Sequence, residues 1–218
     1  MEQRSVHSVG ETRSTIEINK VLKNTYLLLS MTLVFSAVCA GITMGMGLGG
    51  MARIGLFVAA IASMFAVSKF ANSAAGLPLV FLFTGLMGAS LGPLLEYYVA
   101  VNPSIVMEAL GATAIIFVSL SAYTIVSKKD FSFMGGFLVI GLVFAIIAMV
   151  ANLFFQIPAL YLAIHAVIVF IMSGFILYDT SRIVKGGETN YIMATVSLYL
   201  NIYNLFTSLL ALLNAGDD

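Results

Sequence analysis

The sequence predicts an all-α membrane protein, a bundle of seven transmembrane helices with a cytoplasmic amino terminus. The composition is 61% hydrophobic and 9% charged, whereas soluble domains carry roughly 25% charged residues. Apolar windows of about 20 residues, the length that crosses a bilayer core about 30 Å thick, recur along the chain. Lysine and arginine are concentrated in alternate connecting segments. A soluble enzyme and a secreted mini-protein are therefore excluded.

Seven windows can be drawn in chain order, with short connections that favour one compact bundle. They run from Tyr26 to Met46, Ile54 to Phe70, Leu77 to Val99, Ile105 to Val126, Met134 to Phe155, Pro158 to Tyr178 and Tyr191 to Leu213. The chain then divides into a cytoplasmic polar tail (1–24), a seven-helix transmembrane domain (25–213) and a short C-terminal tail (214–218). The seventh window is the least regular, because polar residues interrupt it, and a re-entrant or broken helix is the alternative there.

The amino-terminal tail has no short apolar core with a small-residue cleavage site, so we expect it to be retained rather than removed as a signal peptide. About 24 residues at up to about 3.4 Å each reach roughly 80 Å when extended. A tail of that length could extend well beyond the membrane surface.

Basic residues decide the predicted orientation, because cationic loops are retained on the cytoplasmic side. With the amino terminus inside, nine of the ten lie in inner segments, and only Arg53 lies outside. The nine are Arg4, Arg13, Lys20, Lys23, Lys69, Lys128, Lys129, Arg182 and Lys185. Seven spans then place the C-terminus outside, where the four carboxylates of Glu96, Glu108, Asp217 and Asp218 outnumber the single cation Arg53. These carboxylates could collect cations, or they could simply be solvated at the interface.

Composition and motifs give no sign of nucleic-acid, metal or cofactor binding. Ten Lys and Arg balance ten Asp and Glu, so no basic field exists for nucleic acid, and a single cysteine, Cys39, excludes a disulfide framework. HExxH, Walker A and Glu-x-x-His patterns do not occur. We predict no catalytic residues, no cofactor and no metal site.

Polar residues at membrane depth are the candidates for function, because they cost free energy unless they are paired or hydrated. Asp179 closes the sixth window and is either a carboxylate facing the bundle or the first residue of the inner loop. On the seventh window Ser197, Asn201, Asn204 and Ser208 follow i, i+4, i+7, i+11 spacing and share one helix face. The side chains on that face either form hydrogen bonds between helices or line a polar pathway.

A remote alternative is an intramembrane serine hydrolase, because Gly88-Ala89-Ser90-Leu91-Gly92 matches G-x-S-x-G and His165 is the histidine within the membrane windows. A serine in mid-helix lacks the strained strand-to-helix turn that activates such a nucleophile. Gly85, Gly88, Ala89 and Gly92 are explained more simply as a small-residue face for close helix packing.

Four long segments carry a family likeness. They are FTGLMGASLGPLL in the third helix, SAYTIVSKKDFSFMGGFL across the fourth and fifth, FILYDTSRIV in the sixth, and GGETNYIMATVSLYLNIYNLFTSLL around the seventh. Together with the leader segment VLKNTYLLLS, they resemble the Bax inhibitor-1 family over nearly the whole chain. The resemblance implies six helices around a central, polar-faced seventh, no enzymatic activity, and a location in the bacterial inner membrane.

Two functions follow from this resemblance. Some members are associated with the membrane AAA+ protease FtsH as substrate and modulator, and others are described as pH-sensitive leak channels for calcium. In the channel, two aspartates on helices six and seven share a proton, and a basic residue lies near the inner end of helix two. By resemblance Asp179 occupies the first position, Asn201 replaces the second aspartate, and Lys69 lies near the place of the basic residue.

The Asn201 substitution bears on the choice between the two functions. An aspartate that faces an asparagine has no second carboxylate with which to share a proton, so the coupled titration should be absent. Asp179 would instead accept a hydrogen bond from the Asn201 amide or pair with Lys69. The likeness favours a buried Asp179, and we rank protease modulation above a leak of calcium or other cations. The predicted polar centre comprises Asp179, Asn201, Asn204, Ser197, Ser208 and Lys69.

Overall fold

The computed structural model describes the backbone of residues 2–216 and the side chains of residues 15–216. It contains seven α-helices and one short 3₁₀ turn at Ser132–Met134. The helices are α1 (Glu2–Met44), α2 (Gly50–Phe70), α3 (Gly76–Val101), α4 (Pro103–Ser127), α5 (Gly135–Phe155), α6 (Pro158–Val184) and α7 (Tyr191–Ala215). Seven helical segments within the described residues are long and apolar enough to cross a membrane, which confirms the predicted fold class.

The structure changes the predicted start of the first helix and decides between the two alternatives for the seventh. Helix α1 begins at Glu2, so the backbone of the polar leader is helical and continuous with the first span rather than extended. Val21 and Leu22 of the leader already pack against the buried core. Helix α7 is continuous, which excludes the re-entrant or broken alternative. It begins cleanly because the Asn190 side chain caps the backbone amides of Ile192 and Met193.

Helix α7 is the central element of the bundle. It packs directly against α1, α3, α4 and α6, while α2 packs mainly on α3 and α5 mainly on α6. The seventh helix is therefore central, as the resemblance implies, but four helices rather than six form its main contacts. Its largest buried residues, Leu198, Tyr199, Leu205 and Leu210, are at most 2% exposed.

The α1–α3 contact explains the small-residue face in the third helix. A Cβ added at Gly88 would collide with the backbone of Ser36, and one added at Gly92 would lie 2.6 Å from the Met44 nitrogen. Close approach also allows the Thr43 hydroxyl on α1 to donate to the Ala89 carbonyl at 2.9 Å. The predicted role of these small residues in close helix packing is confirmed.

Alternating helix directions give the bundle two ends with different charge. We call one the basic end, which holds Lys69, Lys128, Lys129, Arg182 and Lys185. The other is the Arg53 end, which holds Arg53 in the first turn of α2 together with Glu96 and Glu108. Which end faces the cytoplasm stays a prediction from the distribution of basic residues.

Candidate functional site

The polar centre consists of one carboxylate and one amide between α6 and α7. The Asn201 Nδ2 donates to Asp179 Oδ2 at 2.7 Å, and the two residues are only 6% and 8% exposed. Asp179 therefore belongs to the bundle and not to the following loop. The sequence left two possible partners for Asp179, Asn201 and Lys69, and the structure contains the hydrogen bond from Asn201.

Lys69 lies apart from this pair. Its side chain is exposed, and its Nζ lies 5.7 Å from the centre of the Phe70 ring. Among the residues whose side chains the structure describes, the one ion pair joins Arg182 to Glu188. The alternative in which Lys69 pairs with Asp179 is therefore not the arrangement found, and Lys69 is not part of the polar centre.

Asp179 begins a run of four residues that ties α6 to its surroundings at the basic end. Each residue after Asp179 contacts a different element. Thr180 bonds the Tyr26 hydroxyl of α1 at 3.3 Å, Ser181 bonds the backbone of Lys129 and Phe131 at 3.2 and 3.0 Å, and Arg182 bonds the Glu188 carboxylate at 3.3 Å. The centre is thus held within a polar junction, which fixes how α6 and α7 meet.

The other predicted residues of α7 divide between packing and open space. Ser208 is buried and lies 3.2 Å from His165 Nδ1. Asn204 is half-buried, and its amide donates to the Leu200 carbonyl of its own helix at 2.8 Å. Ser197 is half-buried. The common face predicted from the spacing therefore contacts α6 at Asn201 and Ser208, and it faces open space at Asn204.

That open space is a cavity of about 850 Å³ toward the Arg53 end, which we call the Arg53 cavity. Parts of α2, α3, α5, α6 and α7 line it. The polar lining residues are Arg53, Ser90, Tyr98, Asn152, Gln156, Tyr161, His165, Tyr203, Asn204, Thr207 and Ser208. Asp179 and Asn201 are not among the lining residues, although Asn204 is only three positions beyond Asn201, about 4.5 Å along the helix axis.

Ser90 and His165 both line this cavity but do not pair with each other. The Ser90 hydroxyl donates to the Met87 carbonyl at 2.7 Å and lies 3.2 Å from the Tyr203 hydroxyl. His165 instead contacts Ser208, which is 1% exposed. The arrangement on which the hydrolase alternative depends, a serine activated by the histidine, is not formed by Ser90.

Sequence reasoning missed the tyrosines of α7. The Tyr199 hydroxyl lies 2.6 Å from the Ser36 hydroxyl of α1 and donates to the Thr84 carbonyl of α3 at 3.3 Å. The i, i+4, i+8 spacing of Thr195, Tyr199 and Tyr203 is the signal that could have revealed this second polar face. Helix α7 thus presents polar groups on two sides, one toward α1 and α3 and one toward α6.

The polar centre contains one carboxylate and no second acidic partner. No group of three or more His, Cys, Asp or Glu side chains that could hold a metal ion occurs within the described part of the chain. The pair can accept and donate hydrogen bonds and can fix helix packing. A shared proton between two aspartates is not available to it in this chain.

The chain is similar to known proteins over almost its whole length. The family model described as Inhibitor of apoptosis-promoting Bax1 matches residues 18–218. An uncharacterized membrane protein of Vibrio cholerae is 54% identical over 202 residues, covering 91% of each chain. Two Escherichia coli proteins, named Modulator of FtsH protease YccA in strain K12 and Inner membrane protein YccA in strain CFT073, are each 47% identical over 211 residues, covering 96% of each chain.

Proposed function

The chain belongs to the Bax inhibitor-1 family, and from that premise we propose that it is a non-enzymatic, multi-pass inner-membrane protein that binds and modulates an FtsH-type protease. The observation that carries the proposal is the similarity, over 96% of both chains, to an E. coli relative named as a modulator of that protease. With the amino terminus in the cytoplasm, the same protein would also be a substrate of the protease.

The geometry supports a role as a substrate that is hard to extract. Seven helices that are long and apolar enough to span a membrane pack around a buried core, and glycines allow α1 and α3 to pack in close contact. Almost all described residues lie in helices that pack on one another. Extraction of α1 would therefore require the packing of the other helices to be disrupted. A protease that engages α1 would be held for longer than by a single-span substrate, and that delay would slow its action on other membrane proteins.

The amino-terminal part of α1 is the segment we assign to this engagement. Because the backbone there is helical, an AAA+ pore must unwind it before threading it. Ile18 in this segment lies close to Gly186 in the α6–α7 connection. A truncation that ends before Ile18 therefore separates engagement from folding better than one that includes it.

The experiment is crosslinking and pull-down of the tagged full-length protein from native membranes, compared with a variant that lacks residues 2–14. We expect the full-length chain to recover a hexameric AAA+ protease and the truncated chain to insert and fold but to recover much less. Equal recovery, equal turnover and equal inhibition by both chains would overturn the proposed engagement.

A cation leak is the second candidate, favoured by the buried Asp179. Here the sensor position carries Asn201, so the conducting form would lack a shared-proton switch. Calcium flux into liposomes, with Asp179→Asn as the matched variant, tests this function. The remote hydrolase alternative is tested by fluorophosphonate labelling, with Ser90→Ala and Ser208→Ala as controls.

A further inference from the structure

The Arg53 cavity is lined by a histidine whose ring has one nitrogen without a hydrogen-bond partner among the described residues. His165 is only 9% exposed, and its Nε2 is the one buried side-chain nitrogen or oxygen lining this cavity that lacks a hydrogen-bond partner among the described residues. Its ring is held in place on two sides, by Ser208 at Nδ1 and by Tyr161, whose ring centre lies 4.4 Å away in an edge contact. A buried group of this kind costs free energy unless a partner from outside the protein meets it.

The mouth of the same cavity favours a negative charge. Arg53 lines it, and no aspartate or glutamate does. Within the described side chains Arg53 has no carboxylate at ion-pairing distance. Ile157 and Pro158 at the amino-terminal end of α6 also line the cavity, and the side chain of the N-cap residue Ile157 does not cap this first turn. A helix amino terminus and an arginine both attract an anion.

The walls between the mouth and the floor are mostly apolar. They include Phe57 on α2, Leu94 on α3, Leu153 on α5 and Ile168 on α6. His165 is the seventh residue after Pro158, so the floor lies about 10 Å below the mouth along α6. A cation with an apolar tail would meet the wrong charge at the mouth, and a small hydrophilic ion would leave the walls unused.

We propose that the Arg53 cavity binds an anionic amphiphile, with its anionic group at Arg53 and the amino terminus of α6, its apolar body along the walls, and a hydrogen-bonding group at His165 on the floor. The occupant is a free amphiphile or an anionic phospholipid, which share this chemistry. The site is distinct from the Asp179–Asn201 centre and does not depend on the proposed action on a protease.

The test uses the full-length protein in phosphatidylcholine nanodiscs and equilibrium dialysis with radiolabelled 10-hydroxydecanoate, with the signal of empty nanodiscs subtracted. Decanoate lacks the distal hydroxyl, and decyltrimethylammonium reverses the charge. We expect saturable binding of the hydroxy acid, weaker binding of decanoate, and no saturable binding of the cation. Equal binding of the cation, or no saturable binding of either anion, would overturn the proposal.

Variants assign the contacts. Arg53→Gln should weaken binding of both anions about tenfold or more, as loss of a charge-assisted contact does, whereas Arg53→Lys should retain most of the affinity. Lys69→Gln, an exposed cation at the basic end, is the matched control and should change nothing. His165→Leu should remove the advantage of the hydroxy acid over decanoate, about threefold to tenfold for one neutral hydrogen bond, and leave decanoate binding intact.

Two further measurements keep the result clear. Melting curves of each variant distinguish loss of the site from loss of the fold. Because Arg53 is exposed, Arg53→Gln should have the same melting temperature as the wild type. Nanodiscs that contain phosphatidylglycerol identify the source: displacement of the probe assigns the site to a phospholipid, and unchanged binding assigns it to a free amphiphile. An unchanged affinity in both Arg53→Gln and His165→Leu would show that the cavity is not the binding site.

Discussion

The Asp179–Asn201 centre and the Arg53 cavity are about one turn of α7 apart, yet the first is closed and the second is open. At the centre α6 and α7 pack directly, and the Asn201 amide bonds the carboxylate at 2.7 Å. Toward the Arg53 end α2 packs on α3 and α5 packs on α6, so a space of about 850 Å³ remains between them. The same polar face of one helix therefore serves packing where a helix covers it and lines a cavity where none does.

This difference shows that the spacing of polar residues on a helix does not decide their role. Asn201 and Asn204 are the same residue type, three positions apart. One is 6% exposed and bonds across to another helix, while the other donates to its own backbone beside the cavity. If this comparison is correct, substitutions at the closed centre should cost much more stability than substitutions at the cavity.

The largest effect is expected for Asn201→Asp. A second carboxylate beside Asp179 places two like charges in a buried site, and the folded chain then binds more protons than the unfolded chain. Stability should therefore fall as pH rises, on the order of 3 kcal/mol between a protonated and a fully ionised pair, since an uncompensated buried charge costs about this much. Melting temperature measured from pH 5 to 9 checks this, and the decrease with rising pH should be larger in the variant than in wild type, which has one carboxylate at this site. A variant with the same pH profile as wild type would contradict the assignment of the pair.

Asp179→Ala should have the next largest effect. Removing the acceptor leaves the buried Asn201 amide without its partner, at a cost of about 1 to 3 kcal/mol. Asp179→Asn can still accept a hydrogen bond and should cost less. Thermal stability in detergent measures both. If both variants have the melting temperature of the wild type, the polar centre does not stabilise the packing of α6 against α7.

His165→Leu tests the open side of the comparison. The substitution leaves the buried Ser208 hydroxyl without its His165 partner, but it also removes a nitrogen that has no partner, so the net cost should be about 1 kcal/mol, at the lower end of the range for Asp179→Ala. The melting temperature should thus drop less than in Asp179→Ala. A larger drop than in Asp179→Ala would show that the cavity floor, and not the centre, is the tighter part of the bundle.

Hydropathy predicts the seven helices well, because crossing a bilayer imposes a length and an apolar composition that few other structures need. The hydrogen bond from Asn201 to Asp179 could be anticipated from the resemblance together with the chemistry of an amide beside a carboxylate. Hydropathy alone left Asp179 undecided, because its position at the end of the apolar window is compatible with either environment. The pairing of His165 with Ser208 and the cavity beside it could not be predicted, since they depend on the arrangement of α2, α5 and α6 around α7.

The smallest effect is expected at Asp130, an exposed aspartate near the same basic end as Asp179, in the connection between α4 and α5. Its Oδ1 accepts the backbone N–H of Ser132 at 2.9 Å, and this hydrogen bond lowers the pKa of the Asp130 carboxyl below its ordinary value of 3.8. Because the folded state favours the ionised form, the stabilisation is present above the unfolded pKa and is lost as pH falls through the lower, folded pKa. Asp130→Ala should therefore melt slightly below wild type at pH 6, and the difference should vanish in acid; Asp130→Asn retains an acceptor and should lie between them. Solvent screens this exposed group, so the shift should be much smaller than for Asp179→Ala. A loss at Asp130 as large as that at Asp179 would mean that burial is not what distinguishes the two carboxylates.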